Sequence, residues 1–348
     1  MKNLKLIAFS LIAFVALSLG ACKKDKNKPN EQPNDPPFQF SDIYVAGYQS
    51  KSGTNIAKYW KNGTAINLSD GTMSANIESL VIDGNNIYAA GWEYMLGANG
   101  KTKAEYWKNG VSTKLSSGSN DAMASAIAVK GTDVYVAGSE HNGTAYVARM
   151  WKNGVATDLS DGTHNTRTGG MVIVDNDVYI SGGEYNGSRI VAKYWKNGTA
   201  VSLTDGSKSA FAYAMAVRGN DVYVAGYEGD GASAAKYWKN GTPVSLTNGT
   251  QPAIAHGITV SGKNVYVTGW ERSATENRDV AKYWLNGQAV SLTANSSESA
   301  HGNAIVVNGN DVYVAGYEGN FPTYWKNGEA VRLSVESGST EAWDIVLK

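Results

Sequence analysis

The chain has 348 residues, and its 31 lysines and arginines balance its 31 aspartates and glutamates. A chain without net charge has no overall field that would draw it to nucleic acid, so we expect no nucleic-acid partner. Its one cysteine excludes an intrachain disulfide. Tyrosine and tryptophan are abundant while phenylalanine is scarce, which suits rings that pack on sheet surfaces with a polar tip free to reach a partner.

The N-terminus predicts export and lipid attachment. Residues 1–21 contain two lysines, a long apolar run and small residues before Cys22, as is typical of a secretory signal peptide. The preceding residues give L-G-A-C, which resembles a bacterial lipobox, and this resemblance implies that Cys22 is diacylated. Several acyl chains hold a protein stably on a membrane. We therefore expect a lipid-anchored protein of the bacterial cell envelope, periplasmic or on the cell surface; a plain signal peptide with a chance cysteine is the alternative.

Residues 22–41 carry this cysteine and then a stretch rich in lysine, asparagine and proline. With almost no apolar side chains, the stretch cannot bury a core, so we predict a disordered tether. Its lysines either contact anionic headgroups or belong to a solvated spacer.

Residues 42–348 hold seven copies of a repeat of about 44 residues, and self-similarity at this period is typical of a stacked or closed repeat fold. A phrase related to D-V-Y-V-A-G ends at Gly47, Gly91, Gly138, Gly182, Gly226, Gly269 and Gly316. Its partner phrase, related to Y-W-K-N-G, carries Trp60, Trp107, Trp151, Trp195, Trp238, Trp284 and Trp325.

Each copy predicts four strands, A to D in chain order. Asn-Gly recurs between the Y-W strand and the V-S-L strand, where it predicts a tight hairpin turn. Tyr237 and Trp238 are adjacent, so strand C must send one large ring to each face of its sheet. Sheets packed face to face around an axis cover both faces, as in a β-propeller. Strand A, the least charged, is predicted innermost, and strand D at the exposed edge.

The two ends of the repeat region predict how the ring closes. Asp42 begins where a strand B begins, and Lys348 ends where a strand A ends, so the last strand can complete the first blade. We therefore predict an all-β fold, a seven-bladed β-propeller of four-stranded antiparallel blades closed by a C-terminal strand. The alternative, an open β-solenoid, would need capping repeats, and the strand-period pattern excludes a helical repeat.

Variation between the copies locates the candidate binding surface. The A–B and C–D turns are short and nearly invariant, whereas the B–C and D–A connections vary and lie on the opposite face. Variable loops on a rigid scaffold often carry function. The candidate ligand-binding residues on this face are Tyr48, Trp92, Tyr227, Trp270 and Tyr317 after the strand B glycine, and Tyr213, His256 and Trp343 near the start of strand A.

Aromatic rings beside acidic acceptors suit sugar recognition, because a pyranose offers an apolar face and several hydroxyls. The alternative for the strand A positions is neutral drift at a wet channel mouth. The glutamates that follow the strand B positions also have a structural interpretation, pairing across the hairpin with a strand C cation. The predicted pairs are Glu140 with Arg149, Glu184 with Lys193, Glu228 with Lys236 and Glu271 with Lys282.

Other chemistry-bearing motifs are absent from the sequence. The four histidines have no spacing that would assemble a metal site. No phosphate loop, dinucleotide fingerprint or Gly-x-Ser-x-Gly occurs in a strand-to-helix context. We therefore expect neither a metal nor a cofactor.

The patterns A-K-Y-W-K-N-G, V-S-L-T-D-G and S-x-A-x-A-I-x-V-x-G resemble the HAF repeats of exported bacterial proteins over residues 42–348. The resemblance implies a β-propeller of largely unassigned function. The expected function is a binding or interaction module, for a glycan or a protein partner, that works as a monomer and is not an enzyme. The alternatives are a structural envelope protein, or a polysaccharide lyase or hydrolase that uses Tyr213, His256, His301 and Arg167.

Overall fold

The computed structural model of the protein describes residues 42–95, 100–293, 296–336 and 338–348. The predicted signal peptide, Cys22 and the tether of residues 22–41 lie outside the described residues. Every regular element in the described ranges is a β-strand, and the strands form seven four-stranded antiparallel sheets. The described residues include no helix of the length and apolar character that crossing a membrane requires. The predicted all-β, seven-bladed propeller is confirmed.

Each blade contributes one strand to each of four concentric layers. The inner strands are β4 (Ala75–Asp83), β8 (Ala122–Lys130), β12 (Thr166–Val174), β16 (Ala210–Arg218), β20 (Ala253–Ser261), β24 (Ala300–Asn308) and β28 (Thr340–Leu347). The second strands are β1 (Ile43–Lys51), β5 (Asn86–Tyr94), β9 (Asp133–His141), β13 (Asp177–Tyr185), β17 (Asp221–Glu228), β21 (Asn264–Arg272) and β25 (Asp311–Glu318). The third strands are β2 (Thr54–Lys61), β6 (Thr102–Lys108), β10 (Tyr146–Lys152), β14 (Ile190–Lys196), β18 (Ala234–Lys239), β22 (Asp279–Leu285) and β26 (Phe321–Lys326). The outer strands are β3 (Thr64–Asn67), β7 (Val111–Lys114), β11 (Val155–Asp158), β15 (Thr199–Ser202), β19 (Thr242–Ser245), β23 (Gln288–Ser291) and β27 (Glu329–Arg332).

The C-terminal strand closes the ring as predicted, because β28 pairs with β1 in the sheet that also holds β2 and β3. We call this closing sheet blade 1 and number the others in chain order. One further link joins blade 1 to blade 2: the Asp344 carboxylate accepts the backbone N–H of Leu80 at 2.8 Å. Burial raises the pKa of Asp344 to about 6. The closing strand thus carries a charged group where the other inner strands have Ser, Ala or Gly.

The apolar cores lie between neighbouring blades. Tyr59 belongs to a core shared by blades 1 and 2, whereas the adjacent Trp60 belongs to the core between blades 1 and 7. This confirms that strand C sends one ring to each face. Trp60 is fully buried, and each such side chain contributes roughly 1.5–3 kcal/mol to stability. Ile345 of the closing strand lies in the same core as Trp60.

The glycine that ends the D-V-Y-V-A-G phrase allows strand A to approach strand B closely. A Cβ on Gly226 would lie 1.9 Å from the carbonyl oxygen of Phe211. Only glycine, which has no Cβ, avoids this steric clash. At this point the pairing of the two strands shifts, between Ala212 and Ala214. Such a shift is a β-bulge, which leaves one residue of the bulged strand unpaired and redirects its side chain.

Candidate functional site

The same bulge occurs in every blade, and the residue at the bulge is one at which the seven copies differ. The pairing of the inner strand skips Glu78, Ser125, Tyr213, His256, Asn303 and Trp343, and in blade 4 it skips both Gly169 and Gly170. We call the first-named six and Gly169 the bulge residues. Because the inner strands line the axis, the bulge residues form a ring near the loop-rich mouth of the channel. Bulges often re-aim side chains beside functional sites.

The pairing register also explains why the two groups of candidate residues meet. Each strand B position after the glycine lies opposite the residue two before the bulge residue. The pairs include Glu341 with Tyr48, Asn76 with Trp92, Phe211 with Tyr227, Ile254 with Trp270, and His301 with Tyr317. The strand A and strand B candidates therefore belong to one surface.

On one side of the mouth, rings of three blades touch in sequence. Tyr213 packs against Phe211 and Tyr227, with ring centroids 4.8 and 6.1 Å away. It also contacts His256 at 4.7 Å, and His256 approaches His301 at 6.3 Å. His301 is stacked on Trp270 at 4.6 Å and contacts Tyr317 at 4.8 Å. We call these seven rings the aromatic arc; all of them are half-buried.

His256 is held as a neutral ring with one free acceptor. The Asn303 amide donates to the Ala342 carbonyl at 2.8 Å, so its Oδ1 is the acceptor for His256 Nδ1 at 3.1 Å. His256 Nδ1 must therefore carry the proton, which leaves Nε2 as the acceptor. Burial, assisted by the neighbouring His301, lowers the pKa of His256 to about 4, so the ring is neutral at physiological pH.

His301 is oriented by a carboxylate from the preceding blade. Its Nε2 lies 3.0 Å from Asp279 Oδ2, and Arg272 donates to the other oxygen of Asp279 at 2.9 Å. Burial lowers the pKa of His301 despite the Asp279 hydrogen bond. For Asp279, burial opposes ionisation, but hydrogen bonds from Arg272 and His301 bring its pKa below the ordinary value. The imidazole is thus fixed as a hydrogen-bond donor to a charged carboxylate.

Blades 1 and 2 carry two carboxyls at the mouth. Glu78 Oε1 accepts hydrogen bonds from Asn76 Nδ2 at 2.8 Å and from Trp92 Nε1 at 3.2 Å. Burial raises the pKa of Glu78 to about 7; these hydrogen bonds oppose the rise and the charge of Glu341 adds to it. Glu341 is hydrogen-bonded to the Tyr48 hydroxyl, and burial raises its pKa too. We call Glu78, Glu341, Asn76, Tyr48 and Trp92 the acidic sector.

The acidic sector adjoins the end of the aromatic arc. Burial raises the pKa of Tyr317, and the nearby charge of Glu341 adds to this effect. Trp343, the bulge residue of blade 1, lies between Asn303 and Glu78 in the order of the ring. Its buried Nε1 has no hydrogen-bond partner in the described part of the chain.

Blades 3 and 4 differ sharply from the rest of the mouth. Their bulge residues are Ser125 and Gly169, and their strand B positions are Ser139 and Gly183. The Ser125 hydroxyl is 2.8 Å from the Gly169 carbonyl oxygen, so it is used within the structure. We call this part of the mouth the bare sector.

The lyase or hydrolase alternative grouped Arg167 with Tyr213, His256 and His301, but Arg167 does not lie with them. Its exposed guanidinium lies over the ring of Tyr146, 4.5 Å from the centroid. The other three residues proposed with it, Tyr213, His256 and His301, do lie together in the aromatic arc.

All eight candidate residues lie at the mouth of the described propeller. Tyr213, Tyr227, His256, Trp270 and Tyr317 belong to the aromatic arc, Tyr48 and Trp92 to the acidic sector, and Trp343 is the bulge residue between blades 7 and 2. The predicted glutamate pairs are confirmed: Glu140–Arg149, Glu184–Lys193, Glu228–Lys236 and Glu271–Lys282 are all ion pairs.

Asn76, Glu78 and Glu341 also stand at the divergent strand A positions that the comparison of the copies marks as candidates for ligand contacts, although they are not among the eight candidates, whereas Asp279 was given no role. One signal was available for Glu78 and Glu341, because both are carboxylates placed where other copies have neutral or basic residues. No comparable signal identifies Asp279, whose partner lies in the next blade. Across the described ranges, no group of three or more His, Cys, Asp or Glu side chains is arranged to hold a metal ion.

Two recesses open elsewhere on the described surface. One of about 390 Å³ lies among the blade 5 loops around Asp230, and one of about 340 Å³ lies around Met73. Neither is lined by a residue of the aromatic arc or the acidic sector.

No protein-family model matches the chain, and no curated protein matches it by sequence. Solved structures resemble its fold. A thermostable family-43 glycoside hydrolase is 11% identical with a TM-score of 0.39, over 62% of this chain and 94% of that one. A Pyrococcus horikoshii acylaminoacyl peptidase is 11% identical with a TM-score of 0.47, over 84% of this chain and 50% of that one. A Mycobacterium tuberculosis puromycin-hydrolyzing peptidase is 10% identical with a TM-score of 0.38, over 74% and 53% of the respective chains.

These similarities concern the fold alone, and this chain spans about half the length of each peptidase. They still correct one expectation. The chain was predicted not to be an enzyme, and the findings contradict that prediction: the similar structures are a glycoside hydrolase and two peptidases. The resemblance to HAF repeats stays a prediction.

Proposed function

We propose that the propeller binds a glycan at the mouth of its channel, on the loop-rich face. The observation that carries this proposal is the aromatic arc, in which seven half-buried rings contact one another across three blades. Half-buried rings of this kind offer apolar surface at little conformational cost, and their polar tips can reach water or a ligand.

Hydrogen-bonding groups stand beside these rings. His256 Nε2 is a free acceptor in the neutral ring. Glu78 and Glu341 add carboxyl oxygens next to the arc. A sugar needs this combination, because its ring face packs on aromatic carbon while its hydroxyls both donate and accept.

The cell-envelope location is part of the same proposal. Cys22 would hold the protein on the membrane and residues 23–41 would separate the propeller from it, which leaves the loop-rich face free to meet a polymer. The proposed arrangement is a monomeric, lipid-anchored binding module.

Screening the propeller of residues 42–348 against a glycan array tests this proposal. We expect specific binding that Trp270→Ala reduces by about tenfold or more, since a packed aromatic anchor at an interface contributes at least 1–2 kcal/mol. Tyr185→Ala is the matched control, because Tyr185 is exposed at the end of β13 in blade 4, outside the arc. Binding that survives Trp270→Ala unchanged, or a pull-down that recovers a protein and no glycan, would contradict the proposal.

A second candidate function is hydrolysis of the bound glycan, and one specific observation favours it. The Glu78 carboxyl has a pKa of about 7 and lies near a second carboxyl, Glu341. A group that titrates near neutral pH can donate a proton to a leaving oxygen, while a second carboxylate takes a proton from the attacking water. Release of reducing ends from the bound polysaccharide tests this candidate. We expect Glu78→Gln to stop the release without preventing binding, and no release by the unmodified protein would refute it.

A further inference from the structure

Glu78 and Glu341 differ from the repeated glutamates of the propeller in having no cationic partner. Five strand B glutamates pair with a lysine or arginine of strand C, as in Lys103–Glu93 at 2.5 Å and Lys282–Glu271 at 2.6 Å, and Glu318 pairs with Arg332 of β27 at 3.6 Å. Neither Glu78 nor Glu341 takes part in an ion pair in the described ranges. Glu341 lies opposite Tyr48 in the sheet, whereas Glu78 is unpaired and receives a hydrogen bond from Trp92.

The protein supplies these carboxyls with hydrogen bonds but with no positive charge. Glu78 is held by Asn76 and Trp92, and Glu341 by Tyr48. Two carboxyls that share a site without a cation repel each other when both are ionised, and burial increases the cost. A charged group brought by a ligand would relieve both effects.

The acidic sector also has an unsatisfied acceptor. Asn76 is 4% exposed, and its Oδ1 has no hydrogen-bond partner within the described chain, while its Nδ2 bonds to Glu78. A buried acceptor left without a donor costs free energy. An ammonium group carries three donors and satisfies several acceptors at once.

Aromatic rings border the same place. Tyr48 and Trp92 make the hydrogen bonds just described, and Tyr317 is close enough to Glu341 for the charge of Glu341 to add to the effect of burial in raising its pKa. The faces of such rings carry partial negative charge and attract cations, most strongly where water is excluded. Carboxylates and ring faces together recognise an alkylammonium group better than a neutral amide.

We infer that the acidic sector binds the ammonium group of a de-N-acetylated amino sugar within the glycan. This inference rests on the proposed glycan-binding function and adds the chemical class of the ligand. The aromatic arc receives the neighbouring sugar rings, and the acidic sector selects the unit that bears the free amine.

Calorimetric titration of the full mature chain with two matched probes tests the inference. One probe is the glucosamine hexamer and the other is the N-acetylglucosamine hexamer, at pH 6.5 and low salt. We expect the glucosamine hexamer to bind at least about tenfold more tightly, with a preference that weakens as salt screens the charges. Equal affinities, or tighter binding of the N-acetylated hexamer, would overturn the inference.

Two variants assign any preference to this place. Glu78→Gln with Glu341→Gln should abolish the preference, so that the two hexamers bind with equal affinity. Glu329→Gln, which removes an exposed glutamate at the start of β27, should leave the preference intact. Competition by phosphocholine and not by glucosamine would show a different source of the cation and overturn the amino-sugar assignment.

Failure of this inference is distinct from failure of the proposed function. A glycan array with hits that depend on Trp270, combined with no preference for amines, overturns the inference alone. An array without any hits overturns the proposed function.

Discussion

The two faces of the propeller use the same repeat in opposite ways. On the turn face, Asp221 accepts from Asn240 at 2.7 Å and pairs with Lys239 at 2.8 Å, and Lys239 lies over Tyr223. Blades 1, 3, 4 and 7 build the same arrangement with their own residues. On the loop-rich face the equivalent bulge positions hold seven different residue types. Where the copies agree, their side chains serve the blade itself, and the mouth is where each blade can contribute something different.

Glycine makes this division possible. The invariant glycine at the end of the D-V-Y-V-A-G phrase lets the backbone of strand A come close, and the resulting bulge frees one side chain per blade from pairing. A bulge with an unconstrained side chain tolerates substitution, since the ladder does not depend on what that side chain is. The conserved part of the repeat therefore creates the variable part.

The largest expected effect concerns β28, the C-terminal strand that forms the inner strand of blade 1. Truncation after Gly338 removes β28, including Ile345, which is 4% exposed in the core between blades 1 and 7. Loss of that core and of the β1–β28 ladder is comparable to the whole stability of an ordinary domain, about 5–15 kcal/mol. We expect no cooperative thermal transition by circular dichroism. A sharp transition near that of the full chain would show that closure is dispensable.

The next largest effect compares a repeated glycine with a divergent one in the same strand. A Cβ on Gly182 would lie 2.1 Å from the backbone carbonyl oxygen of Arg167, whereas one on Gly183 would meet side-chain atoms of Ile190 and Phe211 at 2.8 Å. Backbone cannot move without disturbing the ladder, but side chains can change rotamer. We expect Gly182→Ala to lower the free energy of unfolding by about 3 kcal/mol and Gly183→Ala by about 1 kcal/mol. Equal losses in urea unfolding would contradict the distinction.

The sequence predicts the repeated parts of the blades well and the divergent mouth of the channel poorly. Short-range sequence pattern determines the blade architecture, the opposite faces of Tyr59 and Trp60, and the glutamate pairs. This pattern occurs in all seven copies of the repeat. The mouth depends on which blades become neighbours and on where the bulge directs a side chain. Asp279 is hydrogen-bonded to His301 of the next blade, and the charge of Glu341, near the C-terminus, adds to the effect of burial in raising the pKa of Glu78. Local spacing carries no information about such contacts.

Divergence between copies locates the mouth but does not divide it into sectors. Tyr213 and Arg167 are both unlike their counterparts in other copies, yet Tyr213 lies in the arc and Arg167 stacks on Tyr146. The difference arises from the contacts: Phe211 and His256 pack against Tyr213, whereas the guanidinium of Arg167 lies over Tyr146 of the preceding blade.

A third prediction sharpens the contrast between residues that serve the fold and residues that serve a ligand. Burial raises the pKa of Glu78 from 4.5 to about 7, so the folded state disfavours its ionised form. Stability is therefore lost as the pH rises from about 4.5 to 7. At about 1.4 kcal/mol per pKa unit, the loss at pH 8 is at most about 3–4 kcal/mol.

We expect Glu78→Gln to be more stable than the unmodified protein at pH 8 and nearly equal to it at pH 4.5, in urea unfolding at the two pH values. Asp344 and Glu341 remain in both proteins, so the difference reports mainly on Glu78. A residue kept at a cost to stability is typical of a functional site. A variant that is less stable at pH 8 would mean that Glu78 serves the fold.

The smallest effects belong to the turn face, where repetition itself supplies the control. Asn240 has φ of 50°, donates to Asp221 and accepts the N–H of Val222, so Asn240→Ala should lower the free energy of unfolding by about 1–2 kcal/mol through lost hydrogen bonds and backbone strain. Asp221→Asn should leave thermal stability unchanged within error, because blades 2 and 6 already have asparagine at this position and keep the hydrogen bond at 2.8 and 2.9 Å. Exposed ion pairs such as that with Lys239 add little. If Asp221→Asn were as damaging as Asn240→Ala, the ion pair would hold the turn, and asparagine in blades 2 and 6 would mark two weak blades.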